Sequence, residues 1–309
     1  MSKTAQLREK GIVKSYSWVK FRENLTGYLF MAPLVLGLLI FTVYPMLDSF
    51  RLSLFGTYPR QPDVFVGLGN FDYAIRDPLL ISAFGNTLLM AVYTLLLVVP
   101  GSFILASLIH AIPRGRNFFK VMYYIPNVTS IVAIAILFRF VFYSSEQGII
   151  NYLLSLVGVD PIPFFSHPRW APMTVAVMSF WQALGSNMLI CIAGLTSIST
   201  VYYEAAEVDG ANGFQKWRYI TLPCSRPIIA YLIIMTTISA MKRFGDVYVI
   251  GGLEGNPGGS LRTVALYLYK QAFESSNVGY ASAIAVILFF AILILTIINL
   301  RLVRFDSDV

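Results

Sequence analysis

The stretch PLLISAFGNTLLMAVYTLLLVVPGSFILASLIHAIP, residues 78–113, contains no Asp, Glu, Lys or Arg. A helix needs roughly 20 apolar residues, at about 1.5 Å each, to cross the hydrocarbon core of a bilayer, and this stretch is long enough. The whole chain has the same character, since 57% of its 309 residues are hydrophobic, 13% are charged and the mean hydropathy is +0.68. Soluble proteins carry about 25% charged residues. The sequence therefore predicts an integral membrane protein.

Five further stretches lack charged side chains, so we expect six transmembrane helices in an all-α fold. These stretches are residues 24–47, 121–138, 170–203, 227–241 and 277–300. The stretch 227–241 is short, and we expect its helix to continue through Lys242 and Arg243 into residues 244–250. Those two charges must then lie against protein or water, because lipid does not solvate them.

The basic residues predict an orientation. Fourteen of the 23 Lys and Arg residues precede helix 1, follow helix 6, or lie between helices 2 and 3 or between helices 4 and 5. Because positive charge favours the cytoplasmic side, these segments and both termini are expected in the cytoplasm. The net charge of +7 then reports topology, and binding to nucleic acid is not expected.

A single six-helix membrane domain, residues 24–304, is predicted. It follows a basic cytoplasmic segment, residues 1–23, and precedes a cytoplasmic tail, residues 305–309. The chain has two Cys and two His residues, too few for a disulfide framework or a multi-ligand zinc site. Neither a disulfide-stapled secreted protein nor a metalloenzyme is expected.

The connection between helices 4 and 5, residues 200–224, reads TVYYEAAEVDGANGFQKWRYITLPC. The pattern predicts two short helices: Ser199 or Thr200 caps the first, Gly210 allows the left-handed turn that ends it, and Pro223 stops the second. A simple connector needs no such structure.

The second of these helices is predicted to be amphipathic. Its apolar positions 214, 217, 220 and 221 recur at helical spacing, and Lys216 and Arg218 are expected to point away from them. A short amphipathic helix pair suits insertion into a groove of a partner protein.

The segment resembles the "EAA…DGA…I.LP" coupling loop of the permeases of binding-protein-dependent ABC importers. The residues that carry the resemblance are Glu204, Ala205, Ala206, Asp209, Gly210, Ala211, Ile220, Leu222 and Pro223. The D-G-A and I-x-L-P forms are similar to the carbohydrate branch of the family, and Trp217 stands where the family usually has Phe. Residues 29–45, 67–88 and 119–126 also resemble the family. Residues 250–257, IGGLEGNP, depart from its T-x-G-G-P pattern, so the outer rim is expected to differ.

The resemblance implies a type I importer fold with cytoplasmic coupling helices, in the inner or plasma membrane of a bacterium. It implies four kinds of partner: a second homologous permease, identical or related, two ABC ATPase subunits, an extracytoplasmic solute-binding protein and membrane lipid. By the same resemblance, Glu204, Ala205, Ala206 and Gly210 would sit in a cleft of the ATPase. The implied cargo is an oligosaccharide.

The chain itself is not expected to be an enzyme. It has no Gly-x4-Gly-Lys-Ser/Thr phosphate loop, so ATP and Mg are expected on the partner ATPase and no cofactor on this chain. An intramembrane hydrolase is the enzymatic alternative, but Gly185-Ser186 lacks the second glycine of a nucleophile elbow. An ion-coupled transporter would predict inverted repeats with paired helix breaks, and it would leave the coupling loop unexplained.

Polar residues within helix 4 suggest part of a substrate path. They are Trp181, Gln182, Ser186 and Asn187. Polar groups inside a span are costly unless they face a cavity or a partner helix, and an aromatic ring beside amides suits the apolar face and polar edge of a sugar. Hydrogen bonds between helices explain Ser and Asn equally well.

Charged residues near the outer ends of helices 3 and 5 are the other candidates: Arg139, Lys242, Arg243 and Asp246. We expect Lys242 to pair with Asp246 one turn away, which leaves Arg139 and Arg243 without an acidic partner in this chain. Free guanidinium groups predict a path that favours acidic, uronate-containing saccharides. The alternatives are contacts with the binding protein, the second permease or the loops, and a cargo that is a neutral oligosaccharide or another small polar solute.

Overall fold

The computed structural model describes residues 12–57 and 63–302. The predicted tail, residues 305–309, and the first part of the predicted basic segment, residues 1–11, lie outside the described residues. The chain divides into two compact units, Met1–Leu52 and Ser53–Val309.

The first unit is helical throughout its described part. Helix α1 (Ile12–Leu38) continues through a π-helical segment (Leu39–Val43) into α2 (Tyr44–Leu52). The helix therefore begins before residue 24, where the first uncharged stretch starts. Its most apolar 18-residue window has a mean hydropathy of 2.1, and none of that window is buried. Such a surface needs lipid or another chain around it.

The second unit begins with a small antiparallel sheet, in which β1 (Phe55–Gly56) pairs with β2 (Val64–Phe65). Its helices are, in chain order, α3 (Gly69–Arg76), α4 (Pro78–Ala111), α5 (Arg116–Val128), α6 (Ile131–Val141), α7 (Ile149–Ser155), α8 (Ala171–Thr196), α9 (Thr200–Val208), α10 (Gly213–Lys216), a π-helical segment (Trp217–Thr221), α11 (Leu222–Cys224), α12 (Arg226–Met241), α13 (Gly245–Gly251), α14 (Val264–Tyr269), a second π-helical segment (Lys270–Glu274) and α15 (Val278–Leu302).

In the part of the chain that the structure describes, six apolar spans are present when each bent helix pair is counted as one. Four continuous helices are long and apolar enough to cross a bilayer: Asn24–Leu52, α4, α8 and α15. The other two spans are the pair α5 and α6, and the pair formed by Gly213–Cys224 with α12. The predicted all-α membrane fold is thus confirmed, with two spans that are bent.

The third helix, predicted over residues 121–138, is not continuous. The axes of α5 and α6 meet at 99°, and Thr129 and Ser130 between them have extended backbone angles. Pro126 lies in the last turn of α5 and donates no backbone hydrogen bond there. The helix continues past Pro126 to Val128, and the two extended residues break it there.

The fifth helix also does not continue as expected. Helix α12 ends at Met241, and α13 begins at Gly245 after the break at residues 242–244. The break turns the backbone so that Lys242 is exposed while Arg243 is buried. Two neighbouring cations thereby receive different environments.

A glycine fixes how closely the long helix α8 approaches α5. A Cβ atom at Gly185 would lie only 2.1 Å from the carbonyl oxygen of Tyr123, so no larger residue fits without moving a helix backbone. This contact places the polar side chains that follow Gly185 beside α5.

Candidate substrate path and coupling segment

Residues 200–224, the coupling segment, form an ordered helix–turn–helix. Helix α9 ends in a turn at Gly210, whose φ of +77° is the left-handed conformation predicted for it. The amide of Ala211 donates to the carbonyl of Ala206 at 2.8 Å and closes the turn. The next helix begins with a capping box of Asn212 and Gln215. This box was not predicted, although the Asn-x-x-Gln spacing in the sequence resembles the capping signature.

Four of the nine residues that carry the resemblance lie on the free surface of the segment, and the other five are half-buried. Glu204, Ala205, Asp209 and Gly210 are exposed, and a Cβ at Gly210 would meet no other atom within 4 Å. Small side chains and an open turn leave room for another protein to approach the backbone closely. The segment can therefore present this edge to a partner.

The predicted apolar face of the second helix is divided in two. Phe214 is 72% exposed, whereas Trp217 is half-buried and its ring packs 6.1 Å from that of Phe103 on α4. Lys216 does not point away as expected, because it is half-buried and lines a cavity together with Trp217. The face thus holds the segment against α4 with one aromatic ring and exposes the other.

Polar contacts brace the two arms of the coupling segment. Lys216 Nζ forms an ion pair with Glu207 Oε1 at 2.6 Å, and the hydroxyls of Tyr203 and Thr221 share a hydrogen bond of 2.9 Å.

The second helix of the segment was predicted to stop at Pro223, but it continues for one more residue, to Cys224. A proline in the first turn of a new helical segment costs no hydrogen bond there.

A cavity of about 730 Å³ lies between the coupling segment and the ends of α4 and α8. Its wall is mainly apolar and includes Leu108, Leu195, Phe214 and Trp217. The cavity separates part of the segment from the helices behind it. The contact of Trp217 with α4 is therefore an important attachment between them.

A second cavity, of about 560 Å³, lies among the spans and is called the membrane cavity below. Helices α4, α5, α6, α8, α12 and α13 contribute to its wall. Among the lining residues are five of the predicted path residues: Gln182, Ser186, Asn187, Arg243 and Asp246. The fold thus brings together residues that are up to 64 positions apart.

Three predicted path residues do not line the membrane cavity. Arg139 and Lys242 are exposed elsewhere, and Trp181 instead packs with its ring 5.6 Å from that of Phe138. Six polar residues of the wall were missed: Thr94, Asn127, Ser179, Tyr231, Thr236 and Ser239. Their position inside uncharged stretches was the available signal.

Ser186 both faces the membrane cavity and takes part in a hydrogen bond between helices, so the two predicted roles apply together. Its side chain lines the membrane cavity and also accepts a hydrogen bond of 3.1 Å from Asn127 on α5. Asn187 donates to the carbonyl of Ala183 within its own helix, at 3.0 Å. Helix packing and a polar cavity wall are therefore served by the same side chains.

The expected pairing of Lys242 with Asp246 was wrong, as was the expectation that Arg243 lacks an acidic partner. Arg243 Nη1 lies 2.7 Å from Asp246 Oδ2, and the two residues are 8% and 7% exposed. The helix break before Gly245 turns Lys242 outward and brings Arg243 to Asp246, at a spacing of three residues instead of four.

Further hydrogen bonds fix Arg243 at one end of the membrane cavity. Nη1 also donates to Ser179 Oγ at 2.5 Å, and Nη2 donates to Thr94 Oγ1 at 2.9 Å. The carbonyl of Arg243 accepts from Thr263 Oγ1 at 2.7 Å. The guanidinium group of Arg243 thus links α4, α8 and α13 by hydrogen bonds, and the carboxylate of Asp246 balances its charge.

These features define a class of protein: a multi-pass helical membrane protein with a polar cavity among its spans and an ordered, partly exposed helix–turn–helix at residues 200–224. The chain belongs to the family "Binding-protein-dependent transport system inner membrane component", whose model matches residues 99–305. The resemblance to the permeases of ABC importers is thereby confirmed.

Individual relatives agree with this family over nearly the whole chain. The arabinooligosaccharides transport system permease protein AraP of Bacillus subtilis is 33% identical over 91% of this chain and 90% of its own length. The lactose transport system permease protein LacF of Rhizobium radiobacter is 30% identical over 94% of this chain and 98% of its own. A chain of a bacterial ABC transporter that imports the acidic polysaccharide alginate has the same fold. It is 24% identical, covers 95% of this chain and 100% of its own, and has a TM-score of 0.77.

Proposed function

We propose that this permease forms half of a pathway that carries an oligosaccharide into a bacterial cell. A second homologous permease supplies the other half, an extracytoplasmic binding protein delivers the saccharide, and two separate ABC ATPase subunits dock on the coupling segment. The chain catalyses no bond change itself.

The side chains that line the membrane cavity support an oligosaccharide as the cargo. The cavity wall presents amides at Asn127, Gln182 and Asn187 and hydroxyls at Ser186 and Tyr231. Neutral donors and acceptors of this kind match the hydroxyl groups of a sugar. Relatives named for arabinooligosaccharides and for lactose support the same class of cargo.

An acidic oligosaccharide is the second candidate. Arg243 lines the cavity and is the cation that would serve a carboxylate. Its charge is already paired with Asp246, which favours the neutral class. Arg139 lies outside this cavity wall and adds nothing to either candidate there.

The orientation follows from the basic residues. Arg114, Arg116 and Lys120 lie between α4 and α6, and Lys216 and Arg218 lie in the coupling segment. The positive-inside rule then places the coupling segment and both termini in the cytoplasm, where ATP is available to the ATPases.

The test is uptake of labelled saccharides into proteoliposomes that contain both permeases and the ATPases, with ATP inside and the loaded binding protein outside. Neutral oligosaccharides, acidic oligosaccharides and an amino acid mixture are compared. The proposal expects saccharide uptake that needs both ATP and the binding protein. Uptake of amino acids with no saccharide transported would contradict it.

A further inference from the structure

The charge of the membrane cavity wall depends on one ion pair. Among the described residues that line the cavity, only Arg243 and Asp246 carry a formal charge at neutral pH. Both are more than nine-tenths buried. Since their charges cancel, this wall is neutral although it contains an arginine.

The carboxylate of Asp246 is held in place by several donors. Oδ2 accepts from Arg243 Nη1 at 2.7 Å and from Ser179 Oγ at 3.3 Å, and Oδ1 accepts from the backbone amide of Val247 at 2.9 Å. The carboxylate thus has three donors in a buried site, one of them the guanidinium of Arg243. Asp246 therefore neutralises Arg243 without help from a cargo.

We propose that Asp246 is a specificity-determining residue, which cancels the charge of Arg243 and thereby makes this half of the cavity favour neutral saccharides over acidic ones. The proposal rests on the function proposed above. It concerns whether this part of the cavity wall attracts or repels a charged saccharide, and membership of the family does not decide that.

Removal of either partner should change the preference in opposite directions. Without the charge of Asp246, the guanidinium of Arg243 is a buried cation that no anion neutralises, and its Nε has no hydrogen-bond partner among the described residues. A uronate carboxylate in the cavity then becomes its partner. Without Arg243, the carboxylate of Asp246 repels a uronate. A hydrogen bond to a charged group is worth about 1.5–3 kcal/mol, which corresponds to a roughly ten- to hundredfold change in relative affinity.

A purely structural role predicts something different. Arg243 bridges Thr94 and Ser179, so its loss loosens α4 and α8 for any cargo. Neutral and acidic saccharides would then lose affinity by equal factors. The ratio of the two affinities, and not either affinity alone, separates the two roles.

The experiment measures direct binding to the complex of both permeases and the ATPases in nanodiscs, without the binding protein, so that only the permeases select. The probes are two neutral trisaccharides, arabinotriose and maltotriose, and two acidic ones, trigalacturonate and an alginate trisaccharide. The variants are Asp246→Asn, Arg243→Gln and the double variant Arg243→Gln/Asp246→Asn. The matched control is the exposed ion pair of Arg76 and Asp72, changed by Asp72→Asn and Arg76→Gln.

We expect Asp246→Asn to raise the ratio of acidic to neutral affinity at least about tenfold, Arg243→Gln to lower it, and the double variant to return it towards the original value. The control variants leave the ratio unchanged. If Asp246→Asn does not assemble, the opposite shift in Arg243→Gln and its reversal in the double variant still test the proposal. Equal loss for both classes in every variant overturns the inference alone. Failure of the unmodified complex to bind any saccharide overturns the proposed function and the inference with it.

Discussion

The hydroxyl of Tyr280 donates a hydrogen bond of 2.6 Å to Oδ2 of Asp77, across a sequence separation of 203 residues. The same oxygen accepts from the hydroxyl of Tyr267 at 2.6 Å, and Oδ1 caps α4 by accepting from the amide of Leu79 at 2.9 Å. One buried carboxylate therefore fixes the start of α4 to α14 and α15. The sequence alone gave no reason to pair these residues.

Loss of a donor to Asp77 should destabilise the protein. We expect Tyr280→Phe to lower the free energy of unfolding by about 1.5–3 kcal/mol, because a hydrogen bond to a buried charged group is removed. Thermal unfolding of the purified permease complex in detergent measures the change. Tyr73→Phe is the matched control, since Tyr73 contacts the ring of Tyr280 edge-on but is 60% exposed. Equal stability of Tyr280→Phe and the unmodified protein would contradict the assigned role.

The Asp77 carboxylate should also make stability depend on pH. Burial raises its pKa, but the hydrogen bonds from Tyr267, Tyr280 and the backbone more than offset this and hold the pKa below its ordinary value. The unfolded chain then takes up the proton at a higher pH than the folded one. The stabilisation is therefore present above the ordinary aspartate pKa and is lost as the pH falls through the lower, folded value.

We expect the unfolding temperature to fall as the pH is lowered below about 5, and Asp77→Asn to reduce that slope. Unfolding scans at a series of pH values measure it. An acid limb of equal steepness in Asp77→Asn and the unmodified protein would show that other groups cause the pH dependence.

The close approach of α8 to α5 gives a second test. Gly185→Ala should cost about 1–3 kcal/mol, because its Cβ would overlap the carbonyl oxygen of Tyr123. Gly85→Ala is the matched control, since a Cβ there meets nothing within 4 Å, and removal of a helical glycine is expected to be neutral or stabilising. Yield and unfolding temperature of the two variants are compared. A Gly185→Ala protein as stable as Gly85→Ala would contradict the packing.

The fold was largely predictable from the sequence because long uncharged stretches directly report burial in lipid. The bends were not, since a uniform apolar stretch such as 121–138 does not show where a helix stops. Pro126 indicated a possible break, but the sequence does not distinguish a proline in the last turn of a helix from one in the middle of a continuous span. Tertiary contacts decide between them.

Phe214 and Trp217 should have separate roles in the coupling segment. Trp217→Ala should lower the free energy of unfolding, because the indole packs on Phe103. The loss should be smaller than the about 3–5 kcal/mol that truncation of a fully buried aromatic residue costs. Phe214→Ala should lower stability less than Trp217→Ala, because the ring of Phe214 is 72% exposed and stacks on Trp217 of the same segment, with centroids 6.1 Å apart, and it should weaken copurification of the ATPase. Both readouts are taken on both variants. The same pattern of loss in the two variants would show that the apolar face is not divided.

The turn at Gly210 offers a pair of matched substitutions. Val at this position disfavours the φ of +77°, whereas Asn tolerates it. We expect Gly210→Val to abolish copurification of the ATPase and ATP-dependent uptake, and Gly210→Asn to retain more of both, although the two side chains are similar in size. Unchanged uptake and unchanged copurification in Gly210→Val would contradict the coupling role.

The candidate site was predictable in part for a physical reason. Polar residues within spans are rare, so Gln182, Ser186, Asn187, Arg243 and Asp246 stood out, and all five line one cavity. The partner of Arg243 was not predictable, because it depends on a break of three residues in the helix. In a continuous helix, we expected Asp246 to pair with the cation four residues before it, Lys242. The break instead brings it to the cation three residues before it, Arg243.

Coupling between saccharide delivery and the ATPases is tested most directly by the ATP hydrolysis rate of the reconstituted permease–ATPase complex, with the binding protein empty or loaded. We expect that a saccharide-loaded binding protein stimulates hydrolysis several-fold and that Gly210→Val removes the stimulation. Hydrolysis that no neutral or acidic saccharide stimulates, or that Gly210→Val leaves fully stimulated, would contradict this coupling.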